Sequence, residues 1–328
     1  MKIRVHLLHP ASETALDELR TALRCDVVLT MGPELPEPAH YQILVAGRPR
    51  REHITASPNL EALIIPWSGL PDPTRWLMRE FPWITVHNLH HNAVPVAEMA
   101  LSLLLAAAKA VVPFDRALRA HDWTPRSQLS TALLLRGRTA LVLGYGAIGR
   151  EVARLCQGLG LTVMATRRRA EEPSVDAAVE LHAGARATLH RLLPRADILI
   201  VCLPHTPETD GLLGAPELAL LPKQAILINV GRGPIVDEEA LYRALCDGTL
   251  HAAGLDVWYQ YPADDCARVR TAPSRFPFHE LDNVVMSPHR GGLVSETDTL
   301  RMAALAELLN AAAKGEPIPN RVNLQAGY

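Results

Sequence analysis

The sequence predicts an α/β protein built from two doubly wound parallel-sheet domains. Three observations carry this. The chain has 328 residues, enough for two separate cores. Short β-branched, apolar runs alternate with helical segments along most of its length, the rhythm of strand–helix–strand units. A glycine-rich turn, Gly144-Tyr145-Gly146-Ala147-Ile148-Gly149, joins an apolar run to a helical one in the second part.

In the opening third, IRVHLL, DVVLT, QILVAG, LEALIIP and ITVHN read as five strands, separated by polar or proline-rich stretches. The prolines cluster between Gly32 and Pro73, where they predict rigid loops. Residues 98–110 form an Ala/Leu-rich helical run, followed by a second helical piece over 114–120. The character changes at Gly137, after which strand, glycine turn, helix and strand follow in close order through residue 169. ADILIVCLP, AILINVG, HAAGLDVW and NVVMSPH are further runs of parallel-strand type, each ending in polar, Gly or Pro residues. Residues 296–314 read as a closing helix with Gly315 as its stop.

Hydrophobic residues make up 48% and charged residues 21% of the chain, and the net charge is −2. That balance gives no global field favouring nucleic acid or an anionic membrane. Five scattered cysteines (Cys25, Cys156, Cys202, Cys246, Cys266) lack metal spacing and read as reduced thiols of a cytoplasmic protein. The MKIRVHLL start is too short for a signal segment. The longest apolar run, residues 99–112, contains Lys109 and falls short of the ~20 residues a membrane crossing needs; it reads as a buried helix.

The glycine turn fits G-x-G-x-x-G in the context that gives the pattern meaning, after an apolar strand and at the opening of a helix. Gly144 permits the tight turn, Gly146 lets a pyrophosphate approach the backbone, and Gly149 lets helix pack on strand. The amides from Ala147 and Ile148 onward then face the phosphates. At the end of the next strand an acid would hold a ribose 2′-hydroxyl. The chain has Thr166-Arg167-Arg168-Arg169 instead, with no acid before Glu171. Guanidinium groups pair with a 2′-phosphate, so NADP(H) is expected over NAD(H), with NAD(H) as the second choice. A solvated basic turn is the alternative reading of Arg167 and Arg168.

Several short motifs follow in order: Cys202-Leu203-Pro204-His205-Thr206-Pro207, Asn229-Val230-Gly231-Arg232-Gly233, Gly254-Leu255-Asp256-Val257-Trp258 and Ser287-Pro288-His289. With the glycine turn, and with Val96-Ala97-Glu98 opening the central helix, they resemble the D-isomer-specific 2-hydroxyacid dehydrogenase family across nearly the whole chain. The resemblance implies a Rossmann cofactor domain, residues 102–289, inserted in a flavodoxin-like substrate domain, residues 1–101 and 290–328, with hydride transfer in the interdomain cleft. It implies that Arg232 binds the substrate carboxylate and 2-oxo group, that His289 exchanges a proton with the carbonyl oxygen, and that Asp256 and Val230 orient the nicotinamide carboxamide near Pro204. Ser68, Gly69 and Leu70 resemble the family loop whose amides meet the carboxylate, with the glycine about one position early. Asn92, six residues before Glu98, resembles the asparagine that holds substrate in the family's formate dehydrogenases; a loop or cap role is the plainer reading. His87, His90 and His91 have no acid or thiol beside them to complete a metal set, so no metal is expected. A homodimer built around 102–135 is also implied.

In most of the family a glutamate five positions after the GLDV aspartate bonds the catalytic histidine. Here that position is Tyr261, with Gln260 one before it. Three expectations compete: Tyr261 orients His289 through its hydroxyl; the loop bulges so that Gln260, Asp264 or Asp265 takes the place; or the position is released because proton transfer matters less. The first is preferred. The reading is therefore an NADPH-preferring reductase of a small 2-oxo acid, of the glyoxylate or hydroxypyruvate kind, yielding the D-2-hydroxy acid. The rivals are a dehydrogenase of formate or another small anion, and a nucleotide-sensing binding protein without turnover.

Overall fold

A computed structural model describes residues 2–129, 131–168, 174–176 and 178–327. Arg169 and Glu171, both used in the cofactor argument, lie outside them. The chain divides into two compact units, Met1–Asn92 with Leu293–Tyr328, and Ala93–Gly292.

The first unit begins β1 (Ile3–Leu7), α1 (Glu13–Ala22), β2 (Val27–Met31), β3 (Ile43–Val45), α2 (Arg51–Thr55), β4 (Ala62–Ile65), α3 (Asp72–Arg79) and β5 (Thr85–Asn88). The five expected strands pair in parallel in the order β2-β1-β3-β4-β5. The central strands are buried throughout, ILV in β3 and ALII in β4, as continuous β-branched runs demand when both faces are covered.

The second unit opens with α4 (Ala93–Ala108) and α5 (Val111–Arg119), then β6 (Thr139–Leu143), α6 (Ala147–Gly158), β7 (Thr162–Arg167), β8 (Ser174–Asp176), β9 (Val179–Ala183), α7 (Arg186–Leu192), β10 (Ile198–Val201), α8 (Ala215–Leu218), β11 (Ile226–Asn229), α9 (Glu238–Cys246), β12 (Ala252–Leu255) and β13 (Val284–Met286). The chain then returns to the first unit as α10 (Thr297–Ala313), which packs on α1. The sheet order is β13-β12-β11-β10-β6-β7-β9-β8, parallel except for the antiparallel edge pair β8 and β9. Period-2 alternation builds a core on each face. Ala140, Val142, Ile198 and Ile200 enter the cluster beneath α4 and α6, while Leu141, Leu143, Leu199 and Val201 enter the other. Each of the Val, Leu and Ile side chains contributes roughly 1.5–3 kcal/mol on burial. The strand order reverses between β6 and β10, the switch point where doubly wound sheets place ligands at strand ends.

Some elements differ from expectation. The central helix starts at Ala93, not 98, because Pro95 sits in its first turn, where the ring costs no hydrogen bond. It ends at Ala108. Ala110 is left-handed (φ 52°), and α4 and α5 meet at a 66° bend. The buried helix expected over 99–112 thus stops short, and α5 buries none of its residues. No single helix among the described residues is long and apolar enough to cross a membrane. The crossing expected at 102 falls inside α4, which packs on α6, β11 and β12 of the second unit; the return falls after Gly292 instead of at 290. The sequence reading also missed β8 and β9.

Candidate active site

Beyond β12, the chain Asp256-Val257-Trp258 meets the turn 287–291 that follows β13. The Asp256 carboxylate, 2% exposed, is engaged at both oxygens by this turn. Oδ1 accepts from Ser287 Oγ at 2.5 Å and from the Arg290 amide at 2.8 Å, and Oδ2 accepts from the Gly291 amide at 2.9 Å. Trp258 Nε1 donates to the Ser287 carbonyl at 2.8 Å. These bonds hold His289 in a left-handed backbone conformation (φ 58°), a strained state for a non-glycine residue that persists only where its surroundings fix it. Asp256, assigned by resemblance to the nicotinamide carboxamide, thus has its carboxylate turned to the loop that carries the histidine.

Tyr261 lies beside that histidine. Its hydroxyl is 2.9 Å from His289 Nδ1 and accepts the Trp258 amide at 3.1 Å. With one lone pair taken by the amide, the hydroxyl keeps one proton to donate and one lone pair to accept with, so it can serve Nδ1 in either protonation state of the ring. Crowding by surrounding atoms lowers the His289 pKa, the Arg232 charge lowers it further, and Asp256 opposes them. Crowding likewise raises the Tyr261 pKa above the ordinary phenol value, so the partner of the histidine is an uncharged hydroxyl. Tyr261 is nonetheless 48% exposed, so the loss of hydration that sets the direction of both shifts is partial. The loop's acids are engaged elsewhere: Asp264 accepts the Ala267 amide at 2.9 Å, and Asp265 pairs with Arg268 at 2.6 Å. The Gln260 amide bonds the Pro273 carbonyl.

Arg232 stands in the turn after β11. Asn229 shapes that turn, its side chain accepting from the Gly231 amide at 3.0 Å and donating to the Arg232 carbonyl at 3.0 Å. Arg232 Nη1 donates to the Gly231 carbonyl at 2.7 Å. Crowding lowers the Arg232 pKa from the usual arginine value, and the guanidinium keeps its charge at neutral pH. One cation, one neutral imidazole and one neutral hydroxyl make a surface suited to an anion with an adjacent carbonyl.

At the switch point, Gly144 has φ 97° and its amide bonds the Thr166 carbonyl at 3.2 Å. A Cβ on Gly149 would come within 2.0 Å of the Gly144 carbonyl oxygen, so only glycine lets α6 pack this closely on β6. Gly146 caps α6 without a side chain to bond its first amides, and a Cβ there would meet open space. The Ala147, Ile148 and Gly149 amides belong to the first turn, which has no intrahelical acceptors. The donors and the room fit a dinucleotide pyrophosphate. Arg167 ends β7 and Arg168 follows, both exposed. Val230 donates its amide to the Val201 carbonyl at 3.1 Å, and the Pro204 carbonyl accepts the Thr209 hydroxyl at 2.7 Å.

In the first unit, Asn92 Nδ2 donates to Ser68 Oγ at 3.2 Å and Asn88 Nδ2 donates to the Ser68 carbonyl at 2.6 Å. Asn92 Oδ1 and His91 Nδ1 are buried without a hydrogen-bond partner. Gly69 and Leu70 follow Ser68 in a half-buried loop before α3. Burial lowers the pKa of His87 and His90, and drives His91 to about 4. No group of three or more His, Cys, Asp or Glu suited to a metal occurs among the described residues.

Sequence reading missed Trp258 and Ser287, which tie the histidine loop to β12; the adjacency of Trp258 to the GLDV motif was the available signal. The sequence profile of the D-isomer specific 2-hydroxyacid dehydrogenase NAD-binding domain matches residues 101–291. The chain is 31% identical over 333 residues to D-3-phosphoglycerate dehydrogenase from Archaeoglobus fulgidus, covering 98% of this chain and 59% of that one. It is 37% identical over 233 residues to glyoxylate/hydroxypyruvate reductase B from Yersinia enterocolitica, covering 70% and 67%. The D-isomer specific 2-hydroxyacid dehydrogenase from Xanthobacter autotrophicus Py2, solved in complex with NADPH and MES, superposes with a TM-score of 0.77 at 26% identity, over 100% of this chain and 99% of that one. The chain spans about half the length of the phosphoglycerate dehydrogenases it matches. By its profile match and its near full-length identity, the chain belongs to the D-isomer specific 2-hydroxyacid dehydrogenase family.

Proposed function

We propose that the chain reduces a small 2-oxo acid, of the glyoxylate or hydroxypyruvate kind, to the D-2-hydroxy acid, with NADPH preferred over NADH. The observation that carries this is the 2.9 Å pair of Tyr261 and His289, on the same unit as Arg232 and the glycine turn. Glyoxylate/hydroxypyruvate reductase B is among the relatives, and a relative of known structure holds NADPH.

Arg232 binds the substrate carboxylate through its planar fork and leaves positive charge beside the carbonyl oxygen as that oxygen gains electron density. His289, once protonated from solvent to the imidazolium, delivers the Nε2 proton to that oxygen and is left as the neutral ring. In the imidazolium Nδ1–H donates to the Tyr261 hydroxyl, whose second lone pair accepts it while the first holds the Trp258 amide. When bound, the reduced dinucleotide supplies the hydride. The amides of Ala147, Ile148 and Gly149 hold its pyrophosphate, Arg167 and Arg168 its 2′-phosphate, and Val230, Pro204 and Asp256 flank the nicotinamide. The loop 68–70 and Asn92 contribute to substrate binding. The apolar side chains of α5, with Phe114 39% and Leu118 50% exposed, support a homodimer around 102–135, and the free cysteines fit a cytoplasmic setting.

The test is consumption of NADPH and of NADH by the purified protein over glyoxylate, hydroxypyruvate, phenylpyruvate and branched 2-oxo acids, with formate plus NADP+ as the reverse control. Faster NADPH consumption on a small 2-oxo acid is expected. Formate oxidation, or cofactor binding with no turnover on any acid, would overturn the reading.

A further inference from the structure

The segment after α10 returns along β5, the edge strand of the five-stranded sheet. Arg321 forms an antiparallel bridge with His87, and the Val322 amide donates to the Val86 carbonyl at 2.8 Å. Val322 is 6% exposed and joins the core beneath β3 and β4. His87 Nδ1 donates to the Pro319 carbonyl at 2.8 Å, and Arg75 Nε donates to the Leu324 carbonyl at 2.8 Å. The segment is thus seated at several points, and it covers an edge that would otherwise expose strand amides.

At its centre stands Asn320, left-handed at φ 57°, a conformation asparagine tolerates better than most residues. That backbone state presents both its carbonyl and its side chain to one residue. The Asn88 amide donates to the Asn320 carbonyl at 3.2 Å, and Asn320 Nδ2 donates back to the Asn88 carbonyl at 3.1 Å. Asn88, 6% exposed, then spends its own side chain on the next loop, Nδ2 donating to the Ser68 carbonyl at 2.6 Å. The Leu89 amide reaches the Trp67 carbonyl at 3.4 Å, and Asn92 holds Ser68 Oγ. The Trp67 ring is pressed so closely on the Gly47 backbone that a Cβ there would lie 1.8 Å from it. The loop is therefore fixed by Trp67 on one side and by the asparagine relay on the other.

We propose that Asn320 and Asn88 are positioning residues, a relay by which the segment after α10 sets the backbone of the loop 68–70 for the substrate carboxylate. This rests on the assignment of that loop to 2-oxo acid binding. A loop whose amides must meet a carboxylate works only if its backbone is held in advance, and a misplacement of about 1 Å costs binding or rate far beyond the contact itself. Neither asparagine needs to touch the substrate.

Asn320→Gly keeps the left-handed backbone and removes the side-chain bond; Asn88→Ala removes the bond to Ser68. For both, hydrogen exchange over residues 66–72 is followed alongside steady-state kinetics and Tm. Amide protection over 66–72 is expected to fall, with KM for the 2-oxo acid rising about tenfold at nearly constant kcat, the signature of lost uniform binding. KM for NADPH and the Tm of Asn320→Gly are expected to stay near the parent values. Unchanged protection in both variants overturns the relay whether or not the protein reduces any 2-oxo acid. Lost protection with an unchanged 2-oxo acid KM overturns its role in substrate binding, and parallel loss of Tm and of both KM values reduces it to a structural tie. Absence of turnover in the parent protein overturns the 2-oxo acid assignment alone, and hydrogen exchange still decides the relay.

Discussion

The hydroxyl of Tyr261 lies 2.9 Å from Nδ1 of His289, and it also accepts the Trp258 amide. The histidine is therefore oriented by a neutral group whose oxygen is itself fixed. Tyr261→Phe removes the hydroxyl while keeping the ring against the imidazole, 5.5 Å between centroids. We expect kcat for reduction to fall about tenfold, from loss of orientation, with KM for NADPH nearly unchanged. Steady-state rates at saturating NADPH check this.

Arg167 closes β7 and Arg168 follows it, and the proposed function assigns them to the 2′-phosphate. Replacing both with serine is expected to raise KM for NADPH about 10- to 100-fold, the worth of one or two charge-assisted bonds, and to leave KM for NADH within about twofold. Parallel titrations with the two cofactors measure the ratio. Equal losses for both would assign the two arginines to a solvated turn.

Gly149→Ala places a methyl group where the Gly144 carbonyl already stands, 2.0 Å away. Helix α6 must shift off β6, at a cost of roughly 1–3 kcal/mol. Because the same shift moves the first-turn amides, NADPH affinity is expected to fall with stability. Thermal unfolding with and without NADPH resolves the two effects.

Acid sensitivity should concentrate in the first unit. Burial lowers the pKa of His6, His53, His87, His90 and His91 there, the last to about 4. Between each folded value and the unfolded value near 6.5, the unfolded chain binds more protons, so stability rises with pH across that window and is lost as pH falls below about 6.5. Hydrogen exchange of β1 and β3 against β6 and β10, at pH 7.5 and pH 5, checks this. Protection is expected to fall first in β1 and β3.

Much of the fold was legible because strands buried on both faces write continuous apolar runs. Val142, Ile200 and Ile228 sit in short apolar runs whose length and flanking polar or Gly residues mark them as buried strands. The short strands at that edge were not legible, since β9 (VELHA) buries His182 beside Val179 and Leu181 and carries half-exposed Glu180, so no apolar run marks it. The glycine turn was readable from spacing, because Gly144 and Gly149 meet in space only if strand and helix follow in that order. The environment of His289 was only partly readable. Counting from Asp256 reaches Tyr261, yet a loop with Gln260, Asp264 and Asp265 nearby admits other pairings until its path is known. The ties from Asp256 to Arg290 and Gly291, and from Asn320 to Asn88, join residues more than thirty positions apart, and no local pattern encodes them.

The most direct test of a histidine tuned by a neutral partner is the pH dependence of kcat/KM for 2-oxo acid reduction, in the parent protein and in Tyr261→Glu. The proton-donating form is the imidazolium, whose fraction falls as pH rises through the His289 pKa, and that pKa lies below its ordinary value. We expect the parent rate to decline with an apparent pKa below about 6.5. A carboxylate at 261 stabilises the cation, so the declining limb should move to higher pH by about one unit or more. A parent plateau extending well into alkaline pH, or a limb that Tyr261→Glu leaves in place, would contradict the assignment of His289 and its hydroxyl partner to proton transfer.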